Sequence, residues 1–116
     1  PYVYVNAKNK YDQTALILAA YKAHAEVVNA IVGDGRTKLN AQSKNGFTAL
    51  IWAAQEGHDT VVRHLFNGGA DVDMPDRSGA VPLMHAARMS NGLGLEILLA
   101  LGADLHATNE SVIMKL

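Results

Sequence analysis

The chain has 116 residues, enough for one domain with a modest core. Its 49% apolar and 18% charged residues exclude a disordered chain, and a formal net charge of −1 excludes a polycation built for nucleic acid. With no cysteine, disulfides, thiolate nucleophiles and cysteine-based zinc sites are excluded, and no apolar run approaches the roughly 18 residues of a transmembrane helix.

In chain order, the opening PYVYVNAKNK lacks the basic-then-apolar order of a signal peptide and has no initiator Met. The chain therefore reads as a fragment or processed product, and an intracellular, cytoplasmic setting is expected. The stretch TALILAAYKAHAEVV (Thr14 to Val28) then predicts two short helices. Leu16, Ala19 and Ala20 stand where Leu50, Ala53 and Ala54 stand in the next copy, an i, i+3, i+4 stripe there preceded by Thr48 as N-cap. After the loop Gly33 to Thr37, nearly the same phrase returns 34 residues later as TALIWAAQEGHDTVV, Thr48 to Val62. Here Leu50, Ala53 and Ala54 carry the first stripe. Val61, Val62, Leu65 and Phe66 carry the second, Asp59 opens it in keeping with the helix dipole, and Gly68-Gly69 closes it. The segment ADVDMPDRSGA predicts an extended finger with a tight turn at Asp76 to Gly79. A third, blurred copy begins at Val81, with Pro82 at the first helical position and Ser90-Asn91 in place of Gly57-His58. Gly94 within its second helix costs up to about 1 kcal/mol relative to alanine.

Each unit is helix, turn, helix, finger. No unit can bury its apolar side alone, so the units stack. The expected divisions are a leading finger over 1–8, repeats over 9–42, 43–75 and 76–108, and the start of an incomplete fourth repeat over 109–116, with the C-terminal end softest or cut from a longer array.

With its order and period, the pattern resembles the ankyrin repeat. The signature T-P-L-H-x-A-A is matched by Thr14-Ala15-Leu16-Ile17-Leu18-Ala19-Ala20, Thr48-Ala49-Leu50-Ile51-Trp52-Ala53-Ala54 and Val81-Pro82-Leu83-Met84-His85-Ala86-Ala87. Gly57-His58 matches a second motif, and Gly69-Ala70-Asp71 and Gly102-Ala103-Asp104 a third. The signature His is Ile17, Ile51 or Met84 here, which exchanges a hydrogen bond for apolar packing. The resemblance implies an all-α solenoid of stacked helix-turn-helix units with β-hairpin-like finger loops. It also implies a non-catalytic scaffold or adaptor that binds another protein in a concave groove lined by finger tips and first-helix ends.

Carried over residue by residue, the groove takes Lys8, Lys10, Tyr11, Gln13, Tyr21 and Lys22 from the first repeat. Gln42, Lys44, Asn45, Phe47, Gln55 and Glu56 follow from the second, Arg77, Ser78, Ala80, Arg88 and Met89 from the third, and Glu110, Ser111 and Ile113 close the row. The set holds six of the ten basic residues and, of the eleven acids, only Glu56 and Glu110. An acidic or mixed acidic-apolar protein segment is the expected partner. The competing reading is a set of solvated surface charges worth little. Single-stranded nucleic acid on the same cations and aromatics is the alternative, against which net charge and the remaining acids speak.

Other candidates carry less. Trp52 reads as core or semi-buried rather than ligand-stacking. His24 and His58 align in adjacent copies, where a structural hydrogen bond is favoured over a metal pair. Asp76, Ser78 and His85 contain the letters of a triad without an evident oriented base or oxyanion hole. Gly33-Asp34-Gly35 lacks the Lys-Ser/Thr of a phosphate loop. Asn6 and Asn40 lie in fingers, where the family can be hydroxylated on Asn, although their surroundings match only loosely. No catalytic residue, cofactor, metal, small-molecule substrate or membrane insertion is expected, and an idealised designed array is disfavoured by the irregular third copy.

Overall fold

A computed structural model describes residues 4–104. Six helices follow in order: α1 (Ala15–Tyr21), α2 (Ala25–Val32), α3 (Ala49–Glu56), α4 (Asp59–Asn67), α5 (Pro82–Arg88) and α6 (Gly92–Ala100). The described residues contain no strand. Local chemistry sets the helix starts. The hydroxyl oxygens of Thr14 and Thr48 accept from Ile17 N and Ile51 N, each satisfying one otherwise unpaired first-turn donor. Val81 has no oxygen to offer. Pro82 instead begins α5 without a donor to satisfy, and Val81 is buried.

The helices form two rows. In the inner row α3 lies between α1 and α5; in the outer row α4 lies between α2 and α6. Leu16, Leu50 and Leu83 occupy equivalent sites and are 2%, 1% and 1% exposed. Burial of each contributes about 1.5–3 kcal/mol, and the buried alanines Ala20, Ala53, Ala54 and Ala86 let the inner helices approach closely enough to achieve it. Ile17, Ile51 and Met84 are buried too, so apolar packing does stand where the family signature has His. Side chains bind the copies at the finger bases. Asn6 Oδ1 accepts from Lys38 N, Asn40 Oδ1 from Asp71 N, and Asp73 Oδ1 from Asp104 N, at 2.7, 2.8 and 3.0 Å. The two asparagines singled out as modification candidates thus form one row of inter-copy braces with Asp73.

Two details change the expected account of the third copy. Gly94 is not merely a weak helix former: a Cβ there would strike the carbonyl oxygen of Ala54, so its absence lets α6 close onto α3. Asn91, part of the blurred motif, takes on a cap. Its Oδ1 accepts from Gly94 N at 3.0 Å and its Nδ2 donates to Gln55 O at 3.1 Å, tying α6 to the end of α3. His24 and His58, at the equivalent positions, make no side-chain capping bond, which corrects the structural hydrogen bond expected of them. The fourth-repeat residues and the softness expected of the C-terminal end fall on 105–116, outside the described residues.

The turn between the helices of each pair needs one residue in the left-handed region. Gly57 fills it with φ 71°, but Ala23 and Ser90 fill the same place with φ 60° and 55°. A side chain there costs roughly 1–2 kcal/mol, part of which a glycine returns as freedom of the unfolded chain. Ala23→Gly is therefore expected to raise stability by about 0.5–1 kcal/mol. Gly57→Ala, whose Cβ would project into the Asn91 side chain, is expected to lower it by more. Urea unfolding of both variants checks this; an Ala23→Gly protein no more stable than the parent contradicts it.

Candidate functional site

The site is built from three equivalent finger turns. Asn9, Ser43 and Asp76 each open a turn closed by backbone bonds from Asp12 N to Asn9 O, Gly46 N to Ser43 O, and Gly79 N to Asp76 O. The third residue after each opening is left-handed: Asp12, Gly46 and Gly79 at φ 59°, 85° and 88°. Glycine has no Cβ to clash there, and Asp is among the residues that tolerate the conformation. Neighbouring fingers are then joined through their backbones. Lys44 N donates to Tyr11 O at 3.1 Å and Arg77 N to Asn45 O at 3.2 Å, while Gln42 Nε2 donates to Pro75 O at 2.8 Å. The turns that carry Lys10, Lys44 and Arg77 are thereby held side by side.

Between the first two fingers and α3 lies an open cleft of about 310 Å³, lined by Tyr11, Gln13, Ser43, Lys44, Asn45 and Trp52. Five of these six belong to the residues expected in the groove or directly adjoin them. Trp52 is the one whose role was assigned differently. It is half-buried, as expected, but its exposed part is cleft wall. It is also part of a run of rings. Tyr21 meets Trp52 edge-on at 4.8 Å between centroids, Phe47 meets Trp52 at 5.0 Å, and Phe47 meets His85 edge-on at 4.7 Å. Such pairs contribute about 0.5–1.5 kcal/mol beyond area burial and hold the rings in place. Trp52 and His85 occupy the same signature position in successive copies, the one the family pattern leaves free; its placement on the finger side of the inner helix was the missed signal.

Asp76, Ser78 and His85 do meet, but in an order that makes no nucleophile. Ser78 Oγ donates to Asp76 Oδ1 at 2.7 Å, and His85 Nε2 lies 2.9 Å from Asp76 Oδ2. The carboxylate sits between the hydroxyl and the imidazole, so no base faces the serine. Asp76 Oδ1 also accepts from Ser78 N and Ala80 N. An ionised carboxylate can only accept, so His85 donates from Nε2. The arrangement fixes the third finger onto α5. Among the described residues, no group of three His, Asp or Glu is placed to hold a metal.

The remaining expected site residues fall as follows. Lys8 reaches across to donate from Nζ to Gln42 O at 3.0 Å. Lys10 holds its ammonium 5.2 Å from the centroid of the exposed Tyr11 ring, a cation–π contact. Lys22, Lys44, Asn45, Glu56, Arg77, Ser78, Arg88 and Met89 are exposed, and Gln13 and Gln55 are half-buried. Ala80, by contrast, is fully buried and lines nothing. Glu110, Ser111 and Ile113 lie outside the described residues. Among the described residues, the Lys and Arg ion pairs join Arg36 to Asp34 and Arg63 to Asp59, away from this face. Two acids outside that set stand near it. Asp12 and Asp76 both sit in the fingers, and Asp76 puts a buried negative charge beneath the third finger.

The family model described as Ankyrin repeats (3 copies) matches residues 16–109. Comparison with curated proteins finds no match. Among the described residues no helix is long and apolar enough to cross a membrane.

The buried pair has a titration signature. Burial first, and the neighbouring Arg88 charge, push His85 below its ordinary 6.5, against the opposing pull of Asp76. Burial alone would raise Asp76, but hydrogen bonds from Ser78, Ala80 and His85 together hold it below 3.8. In both cases the unfolded chain binds protons more readily, so stability falls on acidification. The His85 part is complete above about pH 6.5 and is lost as pH falls below that value; the Asp76 part is lost below about 3.8. His85→Leu, the residue of the first copy, should lower stability at pH 7.5 by about 1–3 kcal/mol. It should also flatten the dependence between about pH 7 and 5, as read by thermal melts. An unchanged slope contradicts the assignment.

Proposed function

The chain belongs to the ankyrin-repeat family, and from that premise we propose that it is a non-catalytic scaffold or adaptor whose groove takes an acidic, partly apolar segment of another protein. Ankyrin repeats are generally protein–protein interaction modules, and the family is generally non-catalytic. The observation that carries the reading is the cleft beside Trp52, where the rings of Tyr11 and Trp52 meet the Lys44 side chain, which forms no ion pair among the described residues. Aromatic residues and Arg are the types that concentrate interface energy, and the rings here are already packed in place. Little ordering cost is left for the bound state, which favours affinity. The ammonium groups of Lys10, Lys22 and Lys44 and the Arg77 guanidinium, none in an ion pair among the described residues, supply attraction and faster encounter with an acidic partner.

A displayed random-peptide library provides the test. The parent protein is expected to enrich sequences holding both Asp or Glu and large apolar residues. The Lys10→Glu, Lys22→Glu, Lys44→Glu, Arg77→Glu protein should bind the selected peptides at least tenfold more weakly, a loss of about 1.4 kcal/mol or more. Equal binding by the reversed protein overturns the reading. So does a parent that ignores peptides but binds a random single-stranded oligonucleotide with steep salt dependence.

A further inference from the structure

The cations of the finger tips are not scattered. Lys10, Lys44 and Arg77 are the same position in three successive copies, each directly following the residue that opens its turn. Their backbones are joined in series: Lys44 N donates to Tyr11 O, and Arg77 N donates to Asn45 O. One cation therefore stands on each copy, and the row advances with the stack. Packed helices lie about 8–10 Å apart, and that distance is the step of the row. A chain extended in the polyproline II form rises about 3.1 Å per residue with three residues per turn, so every third side chain returns to the same side after about 9.3 Å, one step of the row. A helix rises about 1.5 Å per residue and would need roughly seven.

The cleft decides between these. At about 310 Å³, between Tyr11, Lys44 and Trp52, it has room for one or two side chains and not for a cylinder of about 10–12 Å. Its walls are the rings of Tyr11 and Trp52 together with the polar side chains of Gln13, Ser43, Lys44 and Asn45, and the two rings suit one large apolar residue. We infer that the bound segment lies along the finger tips in the extended polyproline II form with an acidic residue at every third position, one per copy, and drops one large apolar side chain into the cleft beside Trp52. This rests on the acidic-segment reading above and adds its conformation and spacing.

The chain's single tryptophan is that cleft wall, so its fluorescence reports occupancy directly. The probes are three synthetic peptides of identical composition, holding three glutamates and one leucine in a glycine-serine background. Their glutamates stand at every third position, at every seventh, or contiguously. The first is expected to bind the full chain at least tenfold more tightly than the other two, with a change in Trp52 emission. With Lys44→Glu, its affinity should fall about tenfold, and replacing only its middle glutamate by lysine should restore it. Equal affinity for all three peptides, weakened alike by salt, overturns the spacing while leaving the acidic-segment reading in place. Preference for the seventh-position peptide overturns the extended conformation. No binding of any of the three, at low salt, overturns both.

Discussion

The structure depends on the contact between inner helices. α3 is covered on one side by α1 and on the other by α5, and its residues Ala49, Leu50, Ile51, Ala53 and Ala54 are all essentially buried. Seven or eight residues of helix are too short to hold their shape in water without such support. The apolar stripe is what makes each short helix persist, and it does so only against a neighbour. Small side chains are required at the contact because two helix backbones must come close; Gly94 beneath Ala54 is the extreme case, in the second row's approach to α3.

The face follows from this packing. Stacked helix pairs put their fingers on one side, and the braces of Asn6, Asn40 and Asp73 with the backbone bonds between finger tips fix the fingers relative to one another. The rings are fixed by the same means. Tyr21 comes from α1, Trp52 from α3, Phe47 from the second finger and His85 from α5, so the ring series crosses all three copies. A surface assembled this way is rigid because it borrows its rigidity from the core. The buried Asp76–His85 pair does the same for the third finger, at the cost of taking a carboxylate out of water.

Much of this was legible in the sequence. The 34- and 33-residue shifts relating Leu16, Leu50 and Leu83 predicted equivalent buried sites, and the Thr caps and the turn at Asp76 to Gly79 came out as expected. What the sequence concealed were substitutions that keep a shape while changing its chemistry. Ala23 and Ser90 adopt a glycine's backbone, and Asn91 replaces a motif His with a better cap. Neither shows in a hydrophobic pattern, because left-handed geometry and side-chain braces leave no period. The position of Trp52 on the first helix of its copy predicts its half-burial but not that its remaining exposed part walls a cleft, and the finger acids Asp12 and Asp76 fall outside a charge count confined to the expected face. The joining of Asp76 to both Ser78 and His85 needs a finger folded back onto a helix nine residues further on, which spacing alone does not give.

No unit stands without its neighbour. A synthetic peptide spanning residues 43–75, with one complete helix pair and its finger turn, tests this most directly by far-UV circular dichroism beside the full chain. The peptide is expected to give a coil-like spectrum and the full chain to melt cooperatively from a helical state. A peptide that is helical in water at room temperature and melts cooperatively by itself would contradict it.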